Sequence, residues 1–127
     1  MKFNASKVSL TKDENDVWII GFIENESYAN YVIIQYSNDV DEQELSLNWS
    51  KYYLELSNFG GSYNCISKIN LTKNNLEIIL NDSGSKKFNT NQILVYYSLN
   101  DLEYKNLLEE LKTIFEDEND VTFNVIT

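Results

Sequence analysis

The side chains that could do chemistry in this chain are carboxylates, and they crowd one short stretch. Asn38-Asp-Val-Asp-Glu-Gln-Glu44 carries Asp39, Asp41, Glu42 and Glu44, and Glu55 follows in the next strand-like run. Two carboxyl groups hydrolyse a glycosidic bond when one is held as acid and the other as base or nucleophile at a set separation. Nothing in this spacing sets such a separation, and a run of charge is ordinarily a solvated surface. Asp39, Asp41 and Gln43 also alternate like the first donors of a calcium loop. That loop needs glycine at its sixth position and glutamate at its twelfth, where this chain has Glu44 and Ser50. The chain has no histidine, so the commonest general base and the usual activator of a Ser or Cys nucleophile are both missing. Cys65 lies in a strand-like run and reads as a small buried hydrophobe. Gly60-Gly61 is a pair inside a hairpin, not a phosphate cradle opening a helix. We expect no catalytic residue, no metal and no cofactor.

What remains is binding, and the elements around the carboxylates say how a surface is built. Trp49–Leu80 parses into three apolar-alternating runs, the pattern of an antiparallel meander. Tyr52, Leu54 and Leu56 share one face of the first run, which turns Tyr53 and Glu55 to the other. Ile66, Ile69 and Leu71 lie in the second run, and Leu76, Ile78 and Leu80 share a face of the third. Asn58-Phe-Gly-Gly61 and Thr72-Lys-Asn-Asn75 supply the Asn and Gly that tight turns use to reach positive φ. Upstream, Phe3–Leu10 changes apolar parity between Ala5 and Val8, as a bulge near Ser6-Lys7 would require. Val17–Ile23 is apolar on both faces, which predicts a central strand with helix on one side, and Tyr31–Tyr36 reads as its neighbour.

After a loop-like excursion over Asn81–Asn91 with Gly84 as its pivot, Gln92–Ser98 returns as a strand. The apolar period then changes. Leu102, Leu107, Leu108, Leu111, Ile114 and Phe115 make one stripe at helical spacing, predicting a helix over 101–116. Asn100 and Glu103 have the spacing of a capping box, with Leu99 and Tyr104 placed as its hydrophobic staple. Val121, Phe123 and Val125 alternate as a short final strand. The expected fold class is α+β, a mainly antiparallel meander sheet of six to eight strands with one C-terminal amphipathic helix on one face.

Composition bounds the rest. A chain of 127 residues is one domain, able to bury roughly two-thirds of its unfolded surface without disulfides or metals. Its net charge of −10 argues against direct binding to nucleic acid or an anionic membrane, both of which need a cationic face. A basic protein partner would be steered towards it, although acidity by itself also keeps a domain soluble. The longest apolar run falls far short of the ~20 residues of a spanning helix. A lone cysteine is unlike the even set of a secreted domain. These readings point to a soluble, cytoplasmic protein.

The order of elements resembles the immunity protein 10 family. The residues that carry the resemblance are Tyr31-Val-Ile-Ile-Gln-Tyr, the acidic Asp39-Val-Asp-Glu-Gln-Glu, Tyr52-Tyr-Leu-Glu-Leu, Tyr63-Asn-Cys-Ile, Asn75-Leu-Glu-Ile-Ile-Leu80 and a closing amphipathic helix. It covers Tyr31–Asp117. Many relatives are expected to have Tyr-Gly-Gly-Ile where this chain has Tyr63-Asn-Cys-Ile66, and Val121–Thr127 extends past the helix. The resemblance implies a small bacterial protein that protects a cell from a polymorphic toxin by covering the toxin's active site or substrate channel. An acidic inhibitor suits a basic nuclease, because carboxylates can stand where phosphates bind.

Two function classes follow: a toxin-neutralising protein, and a non-enzymatic binding or assembly module that uses a sheet edge. The chain is expected as a monomer or weak homodimer. The candidate partner-binding residues are Asp39, Asp41, Glu42, Glu44, Trp49, Tyr53, Glu55, Phe59 and Tyr63, since aromatic anchors beside steering charges are what a hot spot needs. Calcium titrated into the protein by calorimetry should give no specific heat; a stoichiometric site of micromolar affinity would overturn the dismissal of the Asp39–Glu44 stretch.

Overall fold

The computed structural model describes residues 1–25, 27, 29–37 and 51–126. Its path begins with a change of sheet. β1 (Lys2–Asn4) belongs to one sheet and β2 (Lys7–Lys12) to another. The parity change between Ala5 and Val8 is therefore a crossing, not the expected bulge. Ala5 donates its amide to the Tyr96 carbonyl at 2.7 Å, and Ser6 donates to the Ile23 carbonyl at 2.9 Å, so successive residues close onto different sheets.

The sheet entered at β2 continues with β3 (Trp18–Ile23), β4 (Tyr31–Tyr36), β5 (Tyr52–Leu56) and β6 (Gly60–Tyr63), each antiparallel to the last and in sequence order. We call it the meander sheet. β3 is interior, as its two apolar faces require. The β5–β6 turn uses positive φ at Asn58 (70°) and Gly60 (71°), as its composition predicts.

The expected three-run meander breaks at Asn64-Cys65. β7 (Ile66–Leu71) and β8 (Asn75–Leu80) lie in the other sheet, with β9 (Gln92–Tyr96) and β10 (Thr122–Val125). The order there is β1-β9-β8-β7-β10, with both outer strands parallel to their neighbours, so we call it the mixed sheet. Asn64, at φ 51°, makes the bend at which the chain changes sheets. The Thr72–Asn75 hairpin forms without positive φ. Instead the Thr72 hydroxyl accepts the amides of Asn74 (3.2 Å) and Asn75 (2.9 Å) and donates to the Asn75 carbonyl.

Where a loop was expected after β8, the chain forms a short helix, α1 (Asp82–Phe88). Asn81 caps it, accepting the Gly84 amide at 2.9 Å, while its own amide and side chain hold Cys65 and Asn64. Gly84 is not a pivot with unusual dihedrals. A Cβ there would stand 2.4 Å from the Cys65 carbonyl, so glycine is needed for close approach. α2 (Asp101–Phe115) begins as predicted, with both halves of the Asn100–Glu103 capping box present.

One continuous core takes in the inner faces of both sheets and Leu107, Leu111, Ile114 and Phe115 of α2. The Phe115 ring meets Tyr52 of β5 edge-on at 5.2 Å, which places α2 on the inner face of the meander sheet. Leu108 is half-buried against this core, as is Trp18. Leu102, expected on the apolar stripe, is 66% exposed, because the first turn of α2 lies outside the contact. The fold class is α+β and mainly antiparallel, with ten strands divided between two sheets and two helices among the described residues. Leu111→Ala should cost about 2–5 kcal/mol in denaturant unfolding, while Leu102→Ala should stay within about 0.5 kcal/mol of the parent.

Candidate partner-binding surface

Strand parity gives the meander sheet two unlike faces. Tyr52, Leu54 and Leu56 point into the core, as do Val32, Ile34 and Tyr36 of β4 and Ile20 and Phe22 of β3. The outward positions, in register, are Ile19, Gly21 and Ile23 on β3, Tyr31, Ile33 and Gln35 on β4, Tyr53 and Glu55 on β5, and Gly61 and Tyr63 on β6. Apart from buried Gly21, all are half-exposed. None of the isoleucines or tyrosines of this layer belongs to the core or packs directly against it. An apolar, tyrosine-rich sheet face lies on the side opposite α2.

Three sequence-predicted residues, Tyr53, Glu55 and Tyr63, meet at its β5–β6 end. Tyr53 and Tyr63 are cross-strand partners whose ring centroids lie 4.9 Å apart at 57°. Tyr53 crosses Gly61, where an added Cβ would lie 2.1 Å from its hydroxyl oxygen, so glycine makes room for the phenol. Glu55 stands opposite both Ile33 and Gly61 and accepts a hydrogen bond from Tyr31. Partial burial, then that hydrogen bond and the Glu55 charge, raise the Tyr31 phenol above its ordinary value. Burial and the same carboxylate raise Tyr53. Phe59, 41% exposed, sits in the adjoining turn but does not join them: it lines a cavity with Met1, Leu56 and Phe88 on the core side of the sheet. Asp39, Asp41, Glu42, Glu44 and Trp49 lie outside the described residues.

Two features were missed in the sequence. Ile19, Ile23, Tyr31 and Ile33 extend the same face, and their signal was already visible in a β3 run apolar on both sides. The second feature is electrostatic. After α2 the chain returns to the end of the meander sheet where β4 leaves and β5 enters: Asp117, Glu118 and Glu116 act on Tyr36, and Glu118 acts on Tyr52 and Lys51. These carboxylates therefore stand beside the chain ends that lead into and out of the acidic stretch. Burial raises the Glu118 carboxyl, Lys51 offsets part of this, and Asp120 and Asp117 add to it.

Cys65 is fully buried, and burial pushes its thiol up to about 12, which keeps it protonated at neutral pH. Among the described residues no group of His, Cys, Asp and Glu is arranged to hold a metal ion, and no helix is long and apolar enough to cross a membrane.

The family model described as Immunity protein 10 matches residues 4–105, most of the chain. The chain belongs to the immunity protein 10 family. The match takes in β2 and β3, upstream of the expected Tyr31 boundary, and stops inside α2, so β10 and most of α2 lie beyond it. Membership makes this an immunity protein by family, and every outward residue of the candidate face falls within the matched segment. Asn64, inside the matched segment, holds a positive φ that glycine adopts without strain. No curated protein and no solved structure matches the chain.

The half-buried Glu118 gives a signed pH dependence. Its carboxyl pKa is higher folded than unfolded, so its charged form destabilises the native state at neutral pH, and the penalty disappears as pH falls below the unfolded value. Glu118→Gln should therefore melt slightly above the parent at pH 7, by under about 1 kcal/mol after solvent screening. The gap should close in melts taken through the acidic range.

Proposed function

We propose that the chain neutralises a cognate bacterial toxin by binding and occluding it, with no chemistry of its own. The observation that carries this reading is the family match over residues 4–105. The net charge of −10 supports a basic partner, of which a nuclease-type effector is the natural case. Carboxylates that replace phosphate in a cationic groove both block the substrate and accelerate encounter.

The proposed contact surface joins the acidic stretch Asp39, Asp41, Glu42 and Glu44 to Trp49, Tyr53, Glu55, Phe59 and Tyr63. Tyrosine and tryptophan bring large contact area with few rotatable bonds, and carboxylates at the rim set orientation and on-rate. Asp117, Glu118 and Asp120 extend the same acidic field from the C-terminal side of α2.

On this reading a toxin gene is expected beside the one for this chain, and the test is protection of cells that express it. Reversing Asp39, Asp41, Glu42 and Glu44 together to Lys should abolish protection and slow association at low salt, with the melting temperature nearly unchanged. Stopped-flow binding at two ionic strengths measures the second effect. Full protection by the reversed variant would place the interface elsewhere. A parent chain that self-associates and protects against nothing would favour the sheet-edge assembly module instead.

A further inference from the structure

Glu55 is the single charge that β3 to β6 direct to the outer face of the meander sheet; everything around it is aliphatic, phenolic, amide or glycine. A carboxylate in that setting is costly to cover unless its cover brings a counter-charge. Tyr31 donates to it. One phenol uses only part of a carboxylate's capacity, which is about four acceptor positions. Ile33 stands directly across β4 from Glu55, and Tyr53, on the same strand two residues away, presents its ring above Gly61. The site thus combines one fixed negative charge, a hydrogen-bonded phenol, an aromatic ring and an aliphatic floor.

We propose that this is the seat of a cationic side chain of the toxin, arginine in preference to lysine. The proposal rests on the toxin-binding reading above and supplies its anchor. A guanidinium is weakly hydrated, forks onto a carboxylate through two N–H groups and stacks on aromatic faces, so it matches both the charge and the walls. An ammonium leaves the apolar walls unused and loses more hydration. A second copy of this chain would offer the seat Lys7 of β2, which shares this face through its pairing with Ile23, and an ammonium leaves the apolar walls unused. The acidic stretch and this seat then have separate roles. Exposed charges at the rim accelerate encounter, whereas a desolvated pair slows dissociation.

The experiment uses the full chain and the purified, catalytically inactive toxin polypeptide encoded beside it, with binding followed by surface plasmon resonance at low and high salt. Glu55→Gln should weaken binding at least about tenfold, almost entirely through faster dissociation, and the loss should persist at high salt. Ile33→Arg is the second variant. It leaves Glu55 in place and supplies an internal guanidinium from the facing strand, and it should cause a loss of the same size. Glu55 and Ile33 are half-exposed, and both variants should keep the parent's circular dichroism and melting cooperativity. If either folded variant binds within about twofold of the parent, the seat is elsewhere although the immunity reading stands. If the parent itself does not bind, the immunity reading fails and takes the seat with it. A deficit confined to association, and lost at high salt, would reduce Glu55 to one more steering charge and overturn the proposal.

Discussion

The buried phenol of Tyr52 ties together the three parts of this fold. Its hydroxyl accepts the Ile66 amide at 3.0 Å, and its ring meets Phe115 of α2. Tyr52 belongs to β5 of the meander sheet and Ile66 to the start of β7 in the mixed sheet, so one side chain sets the spacing of both sheets and the seat of the helix. The β7–β8 register shifts between Ile66 and Lys68, and Tyr52 supplies the acceptor for the amide at that irregularity. Burying the ring raises the phenol well above its ordinary value. A hydroxyl so placed is tolerated because it is hydrogen-bonded, and a buried amide left without it would cost about 1–3 kcal/mol. Tyr97 does similar work at the other end of the core. It stacks on Phe22 of the meander sheet and donates to the Thr72 and Asn75 carbonyls across the β7–β8 hairpin.

With the inner face of the meander sheet committed to the core, strand parity sends a different set of side chains to its outer face. α2 covers one side, and the other carries isoleucine and tyrosine around a single carboxylate. The turn after α2 brings Glu118, with Asp117 and Asp120 beside it, back to Lys51. On the function proposed above, an electrostatically directed encounter would precede an apolar, tyrosine-rich contact.

Local chemistry was legible in the sequence, and assignment to sheets was not. The Asn100–Glu103 box formed as read because a capping box is decided within four residues. The faces of β5 were read correctly because period two fixes parity. Parity, however, says nothing about which sheet a strand joins, so the crossings at Ala5-Ser6 and Asn64-Cys65 looked like a bulge and a continuing meander. α1 was missed because Asp-Ser-Gly-Ser is turn-like in composition; its helix is held by the Asn81 cap, by buried Phe88 and by the fit of Gly84 against Cys65. Leu102 was misplaced because helical spacing predicts a stripe but not how much of the helix overhangs its support. At the candidate surface, Tyr53 and Glu55 were placed by parity, and Tyr63 by its position beside the Gly60-Gly61 turn. The partnership of Tyr31 and Glu55 is tertiary, and the acidic stretch and Trp49 fall outside the described residues.

The outward isoleucines and tyrosines of the meander sheet do not pack against the core. If this face meets the toxin as proposed, substitution there would change recognition free energy while leaving most of the folding free energy untouched, since large stability losses arise where packing or buried polar groups are disturbed. Natural proteins sit just above a stability threshold, and a surface uncoupled from that threshold can be revised one residue at a time. On that proposal, specificity towards a changing partner would drift on this scaffold faster than the scaffold itself.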